Sequence, residues 1–101
     1  MIDGEKNKMD DLVPSEFYLS QNYPNPFKSR TSIKYCLSEK TRVELTLFNS
    51  NGEIVKKIFN KVQKAGTYET IFESKDLTDE VYYYQLKAGN FNATKKMLLL
   101  R

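Results

Sequence analysis

The chain has 101 residues, 40% hydrophobic and 13% aromatic, with seven Tyr, six Phe and no Trp, a composition that suits one small domain and favours strands. One cysteine, Cys36, and the absence of histidine exclude an internal disulfide, the usual zinc ligand sets and any Ser-His or Cys-His nucleophile pair. The net charge is +3, unevenly placed: residues 1–16 hold five acids against two lysines, −3, which leaves +6 for residues 17–101. The basic residues are spread over strands and turns and form no nucleic-acid footprint.

Residues 1–16 are polar and acidic and close at Pro14, which reads as a linker or disordered arm. No run approaches the roughly 18 apolar residues of a membrane span, and MIDGEKNKMDD has no apolar signal-peptide region, so a signal peptide is expected to lie outside this chain. The domain is expected to begin near Phe17.

Asn22, Tyr23, Pro24, Asn25, Pro26 and Phe27 form a knot, NYPNPF. Its prolines forbid a helix interior and a central strand, so the segment is expected to be stiff and polyproline-like. Tyr23 and Phe27 are expected to pin the entering chain across an open end of the domain, covering an edge. Thr31 to Leu37 then alternates Ile33, Tyr35 and Leu37 on one face, and Arg42 to Asn49 repeats the pattern with Val43, Leu45 and Leu47, two half-buried strands. Asn51-Gly52 is a hairpin signal, its turn residues expected to need positive φ.

The next stretch, EIVKKIFNKVQKAG, is ambiguous. Ile54, Val55, Ile58, Phe59 and Val62 fall at helical spacing with Gly66 where a helix would end. Strands on both sides favour instead a strand from about Glu53 to Asn60, bent by a bulge between Val55 and Ile58. Gly66 introduces a strand from Thr67 to Glu73 with Tyr68 and Phe72 on one face. VYYYQLKA at 81–88 puts Tyr82, Tyr84 and Leu86 inward and leaves Tyr83 exposed. Ala88-Gly89-Asn90 turns the chain into a last strand from about Asn92 to Leu100. About six to seven short strands with turn residues between them describe an all-β fold, a small antiparallel β-sandwich of immunoglobulin-like character.

Six segments in this order, FYLSQNYPNPF at 17–27, TSIKYCL at 31–37, VELTLFNSNGEIV at 43–55, AGTY at 65–68, VYYYQLKAG at 81–89 and KKMLLLR at 95–101, resemble the C-terminal sorting domain of proteins exported by the type IX (Por) secretion system of Bacteroidetes and their relatives. Phe72 stands where the family usually has Trp, Asp79-Glu80 where it has Ser-Gly, and Lys28-Ser29 where Asn-Pro is frequent. The resemblance implies a non-catalytic tag with no cofactor and no nucleic-acid partner. It would be recognised in the periplasm by the outer-membrane translocon and its sorting and cleavage machinery, and carried to the cell surface or medium. Residues 1–16 would be the linker to an N-terminal cargo absent from this chain. The rival functions are an immunoglobulin-like accessory module, as in flagellar hook-capping proteins, and a carbohydrate-binding module built on Tyr83.

The sorting-motif candidates are Asn22 to Phe27, Gly52, Gly66, Tyr68, Tyr82, Tyr84, Leu86, Gly89, Lys96, Met97, Leu99 and Arg101. For most of them core packing or turn geometry is the competing role. KKMLLLR is apolar on both faces, which suits either a central sandwich strand or strand addition to a partner. Lys96→Ala and Arg101→Glu are expected to be surface changes of no more than about 0.5 kcal/mol. Asp76, Asp79 and Glu80 match no calcium loop and read as solvated acids. Cys36 reads as a half-exposed strand residue, and Asn92-Ala93-Thr94 as a chance glycosylation tripeptide.

Overall fold

The computed structural model describes residues 13–101. The acidic arm expected over 1–16 therefore lies outside the described residues as far as Leu12, and Val13 to Phe17 follow without regular structure. Seven strands come next: β1 (Tyr18–Leu19), β2 (Arg30–Leu37), β3 (Thr41–Phe48), β4 (Ile54–Gln63), β5 (Gly66–Glu73), β6 (Glu80–Ala88) and β7 (Phe91–Leu99). They form a three-stranded sheet, β1-β2-β5, and a four-stranded sheet, β4-β3-β6-β7, antiparallel throughout. The result is a small β-sandwich.

Alternation builds the core. Ile33, Leu37, Val43, Leu45, Leu47, Tyr84, Leu86, Met97 and Leu99 are fully buried, joined by Leu19, Phe27, Tyr35, Phe72 and Tyr82, so the inner faces of both sheets interdigitate. Tyr82 lies near the start of β6 and donates its hydroxyl hydrogen to Thr78 O at 2.8 Å. This is the tyrosine corner that immunoglobulin-like sandwiches place before their penultimate strand. Tyr83 is half-buried on the outer face, not exposed as expected, because β3 and β7 flank it on both sides: it pairs with Phe48 and Lys96.

The stretch with helical spacing is β4, and its register explains the spacing. Opposite Leu45 and Thr46 the partner jumps from Phe59 to Lys57, leaving Ile58 over, and opposite Leu47 and Phe48 it jumps from Lys56 to Ile54, leaving Val55 over. Each extra residue shifts the inward row by one, so two bulges in a strand imitate a period near 3.6. The strand also runs to Gln63 rather than stopping near Asn60.

The β3–β4 turn differs from the two-residue form that Asn-Gly suggests. Asn49 O accepts from Gly52 N at 3.0 Å, Asn49 N donates to Glu53 O at 2.9 Å, and only Gly52 has positive φ, +85°. This is a type I turn followed by a left-handed glycine bulge. The Asn49 side chain fixes it, Oδ1 accepting from Asn51 N and Glu53 N at 2.9 and 3.0 Å. At the β6–β7 turn, Ala88 pairs with Phe91 across two residues, and Gly89 at φ +59° takes the first position of a type II′ turn.

β7 lies at the edge of its sheet, which corrects the central-strand reading. Its outer row is only partly covered, with Leu98 half-buried and Leu100 exposed.

Candidate functional site

Pro24 and Pro26 give up backbone donors, so the residues around them must satisfy the local backbone in other ways. Ser32 lies on the outer side of β2 and exchanges both backbone hydrogen bonds with Tyr23, Tyr23 N to Ser32 O at 2.9 Å and Ser32 N to Tyr23 O at 2.8 Å. Four residues on, Phe27 N donates to Leu98 O at 3.0 Å and Phe27 O accepts from Leu100 N at 2.9 Å, a parallel bridge to β7. The knot thus ties one sheet to the other. The chain bends at Pro24, Asn25 and Pro26 between the two bridges, rather than running on as the polyproline helix expected; both X–Pro bonds, Tyr23–Pro24 and Asn25–Pro26, are cis.

Asn22 holds the interior of the knot. It is buried, and its Nδ2 donates to Pro24 O at 3.1 Å and Thr31 Oγ1 at 3.0 Å, while its Oδ1 accepts from Gln21 Nε2 at 2.7 Å. Thr31 Oγ1 donates in turn to Pro24 O at 2.8 Å. Phe27 is buried against Phe72, ring centroids 6.4 Å apart and edge to face. Tyr23 departs from expectation: it is 80% exposed, because backbone bonds rather than its ring attach this point. Pro24, Asn25 and Pro26 are exposed with it.

The same segment covers the β7 edge. Gln21 Nε2 donates to Lys96 O at 2.5 Å and Asn25 Oδ1 accepts from Leu98 N at 2.9 Å, beside the two Phe27 bonds. From Lys96 O to Leu100 N the edge-facing backbone is taken, so the end of KKMLLLR is not the free edge that strand addition requires. Exposed Tyr23 to Pro26 and exposed Lys96 and Leu100 therefore flank the hydrogen bonds that join the two segments.

The other sequence candidates lie in the core, in turns or against the aromatic pair beside them. Tyr82, Tyr84, Leu86, Met97 and Leu99 are core residues. Tyr84 donates to Ser20 O at 2.7 Å, fastening the approach to the knot, and burial pushes its hydroxyl up to about 12. Gly52 and Gly89 are turn residues, and Gly66 lies under the ring of Tyr68. Tyr68 stacks on Tyr35 at 5.4 Å, and burial raises the Tyr35 hydroxyl as well.

Arg101 is not the loose surface residue expected. Its Nη1 meets Asp79 Oδ1 at 2.9 Å, its backbone N donates to Asp79 Oδ2 at 3.2 Å, and its Nη2 reaches Ser74 Oγ at 3.1 Å and Lys75 O at 3.3 Å. Asp79 is thus an ion-pair partner where sequence suggested a solvated acid. Gln21, Thr31 and Ser74 escaped sequence reasoning, because short polar side chains in a loop give no periodic signal. Among the described residues no three His, Cys, Asp or Glu side chains are grouped to hold a metal ion, and no helix is long and apolar enough to cross a membrane.

Searches among curated proteins and among solved structures gave no significant match. A family model described as secretion system C-terminal sorting domain matches residues 21–100, from the start of the knot to the covered end of β7.

Proposed function

Because the chain belongs to the C-terminal sorting domain family of type IX secretion, whose members act with that machinery and are delivered to the surface or medium, we propose that residues 17–101 are its non-catalytic recognition unit. The domain carries an N-terminal cargo through the periplasm to the outer-membrane translocon, and residues 1–16 are the linker in which cargo and tag are separated. The surface formed by Tyr23 to Pro26 with Lys96 and Leu100 is what the translocon reads, while the turn glycines and inward tyrosines hold it in shape.

One observation carries this reading. The two ends of the family match, far apart in sequence, are joined by four hydrogen bonds, with exposed residues from both ends beside them. A translocon that handles many cargos needs a feature independent of cargo, and this junction supplies one. A carbohydrate platform on Tyr83 gains no support, since that ring is half-buried.

The test is a fluorescent reporter bearing a signal peptide, fused ahead of residues 17–101 and expressed in a host with type IX machinery. Export of wild type, with Tyr23→Ala and Lys96→Ala melting normally but exporting less, supports the reading. Wild-type export by both variants moves recognition to another face.

A further inference from the structure

Four strands end the two sheets, and three of them are very short, partly covered or broken in register. β1 has two residues. β7 has its edge taken from Lys96 to Leu100 by Gln21, Asn25 and Phe27. β4 carries two bulges and Lys56, Lys57 and Lys61, both of them devices that discourage edge pairing. β5 has neither. It holds unbroken register with β2 from Arg30↔Glu73 to Leu37↔Gly66 and contains no proline or lysine.

The phase of its hydrogen bonds follows from the knot. Ser32 spends its N–H and C=O on Tyr23, so Thr31, Ile33 and Tyr35 are the β2 residues bonded to β5. Their partners are Phe72, Thr70 and Tyr68, and the Ser74 N to Ser29 O bond of 2.9 Å continues the phase. The N–H and C=O groups of Thr67, Glu69, Ile71 and Glu73 consequently point to the open edge. Their side chains occupy the outer face, all exposed, with Ile71 at 52%.

We infer that β5 accepts, by antiparallel strand addition, an extended segment of a partner protein carrying basic residues two positions either side of an apolar one. Glu69 and Glu73 flank Ile71 on the outer face. β2 already supplies one basic row: Arg30 is 3.8 Å from Glu73 and Lys34 is paired in register with Glu69. Lys75 also stands 3.6 Å from Glu73. A second basic row on the open side completes a plus-minus-plus ladder. A second copy of this chain centred on Ile71 would instead set Glu69 against Glu73, a like-charge pair that opposes self-association. On its inner side the added strand meets Ile58, Phe59 and Phe72, the last two with Lys61 and Lys56 over their rings, which suits apolar residues.

The experiment uses the full chain and a labelled probe, Thr-Lys-Leu-Val-Leu-Lys-Thr, read by fluorescence anisotropy at low salt, with Thr-Glu-Leu-Val-Leu-Glu-Thr as the control. The basic probe should bind the more tightly. Ile71→Pro removes an N–H that faces the open edge and none from the β2–β5 ladder, so circular dichroism should be retained while affinity falls by about tenfold or more. Glu69→Lys combined with Glu73→Lys should invert the preference between the probes, and it decides the matter if Ile71→Pro does not fold. No binding, equal binding of both probes, or full affinity in a folded Ile71→Pro overturns the inference. So does a dimer in sedimentation that Ile71→Pro dissolves, since the occupant is then a second copy.

Discussion

Asn22→Ala tests whether the knot is held by its buried amide or by its prolines alone. The substitution removes three side-chain hydrogen bonds, to Pro24 O, Thr31 Oγ1 and Gln21 Nε2. At about 0.5–1.5 kcal/mol net for each bond, the loss is about 1.5–4.5 kcal/mol. The lower half of that range is expected, because Thr31 Oγ1 still donates to Pro24 O at 2.8 Å and neither atom is orphaned. Urea denaturation of wild type, Asn22→Ala, Thr31→Val and the double variant isolates the shared term, expected at about 1 kcal/mol of coupling. Asn22→Asp keeps the shape but replaces two donors with a buried carboxylate facing Pro24 O. Its folded pKa is then raised above the unfolded value, so this variant is most stable below about pH 3.9 and loses stability as pH rises through the folded pKa. A strictly additive cycle, or an Asn22→Asp protein whose stability relative to wild type ignores pH, refutes the reasoning.

Gly52→Val should cost about 1–2 kcal/mol in urea, with the conformation of the turn as the sole cause, since nothing lies within 4 Å of an added Cβ; Gly52→Asn should cost less. Tyr84 is protonated in the fold up to about pH 12 against about 10 when unfolded. Stability relative to Tyr84→Phe should therefore be flat below about pH 10 and fall by about 1.4 kcal/mol per unit between there and the folded pKa; a parallel pH profile for the two proteins counts against burial of the hydroxyl. Arg101→Glu sets two acids together and should lower the melting temperature, the double exchange with Asp79→Lys restoring part of the loss, while Lys96→Ala leaves melting unchanged.

Most of the core was legible in the sequence because alternation is a direct consequence of the pleat. Ile33, Leu45 and Tyr84 face inward for no other reason than their parity, and the turns at Gly52 and Gly89 announced where parity restarts. β4 was harder, because two bulges at Val55 and Ile58 reset parity twice within six residues, and no local signal separates that from a helix. The outcome depended on the β3 partner, a non-local fact. The knot shows the opposite limit. Its composition excluded helix and strand, yet which ring would be buried was decided by where the chain attached. Backbone bonds at Tyr23 left that ring in solvent, while the space beside Phe72 received Phe27. Arg101 looked free because its partner, Asp79, lies 22 residues away in a loop without periodicity.

The knot also constrains how the end of β7 can be read by a partner. Side chains there are accessible, but the backbone groups that strand addition would use are bonded to Gln21, Asn25 and Phe27. A partner adding a strand at that edge must first displace Phe27, a fully buried aromatic whose removal from a core costs about 3–5 kcal/mol, together with four hydrogen bonds. A partner reading Tyr23, Pro24, Lys96 and Leu100 from outside faces no such cost. The folded domain therefore favours surface recognition at the knot and leaves strand addition to β5, the edge that neither a bulge, a lysine nor another segment closes.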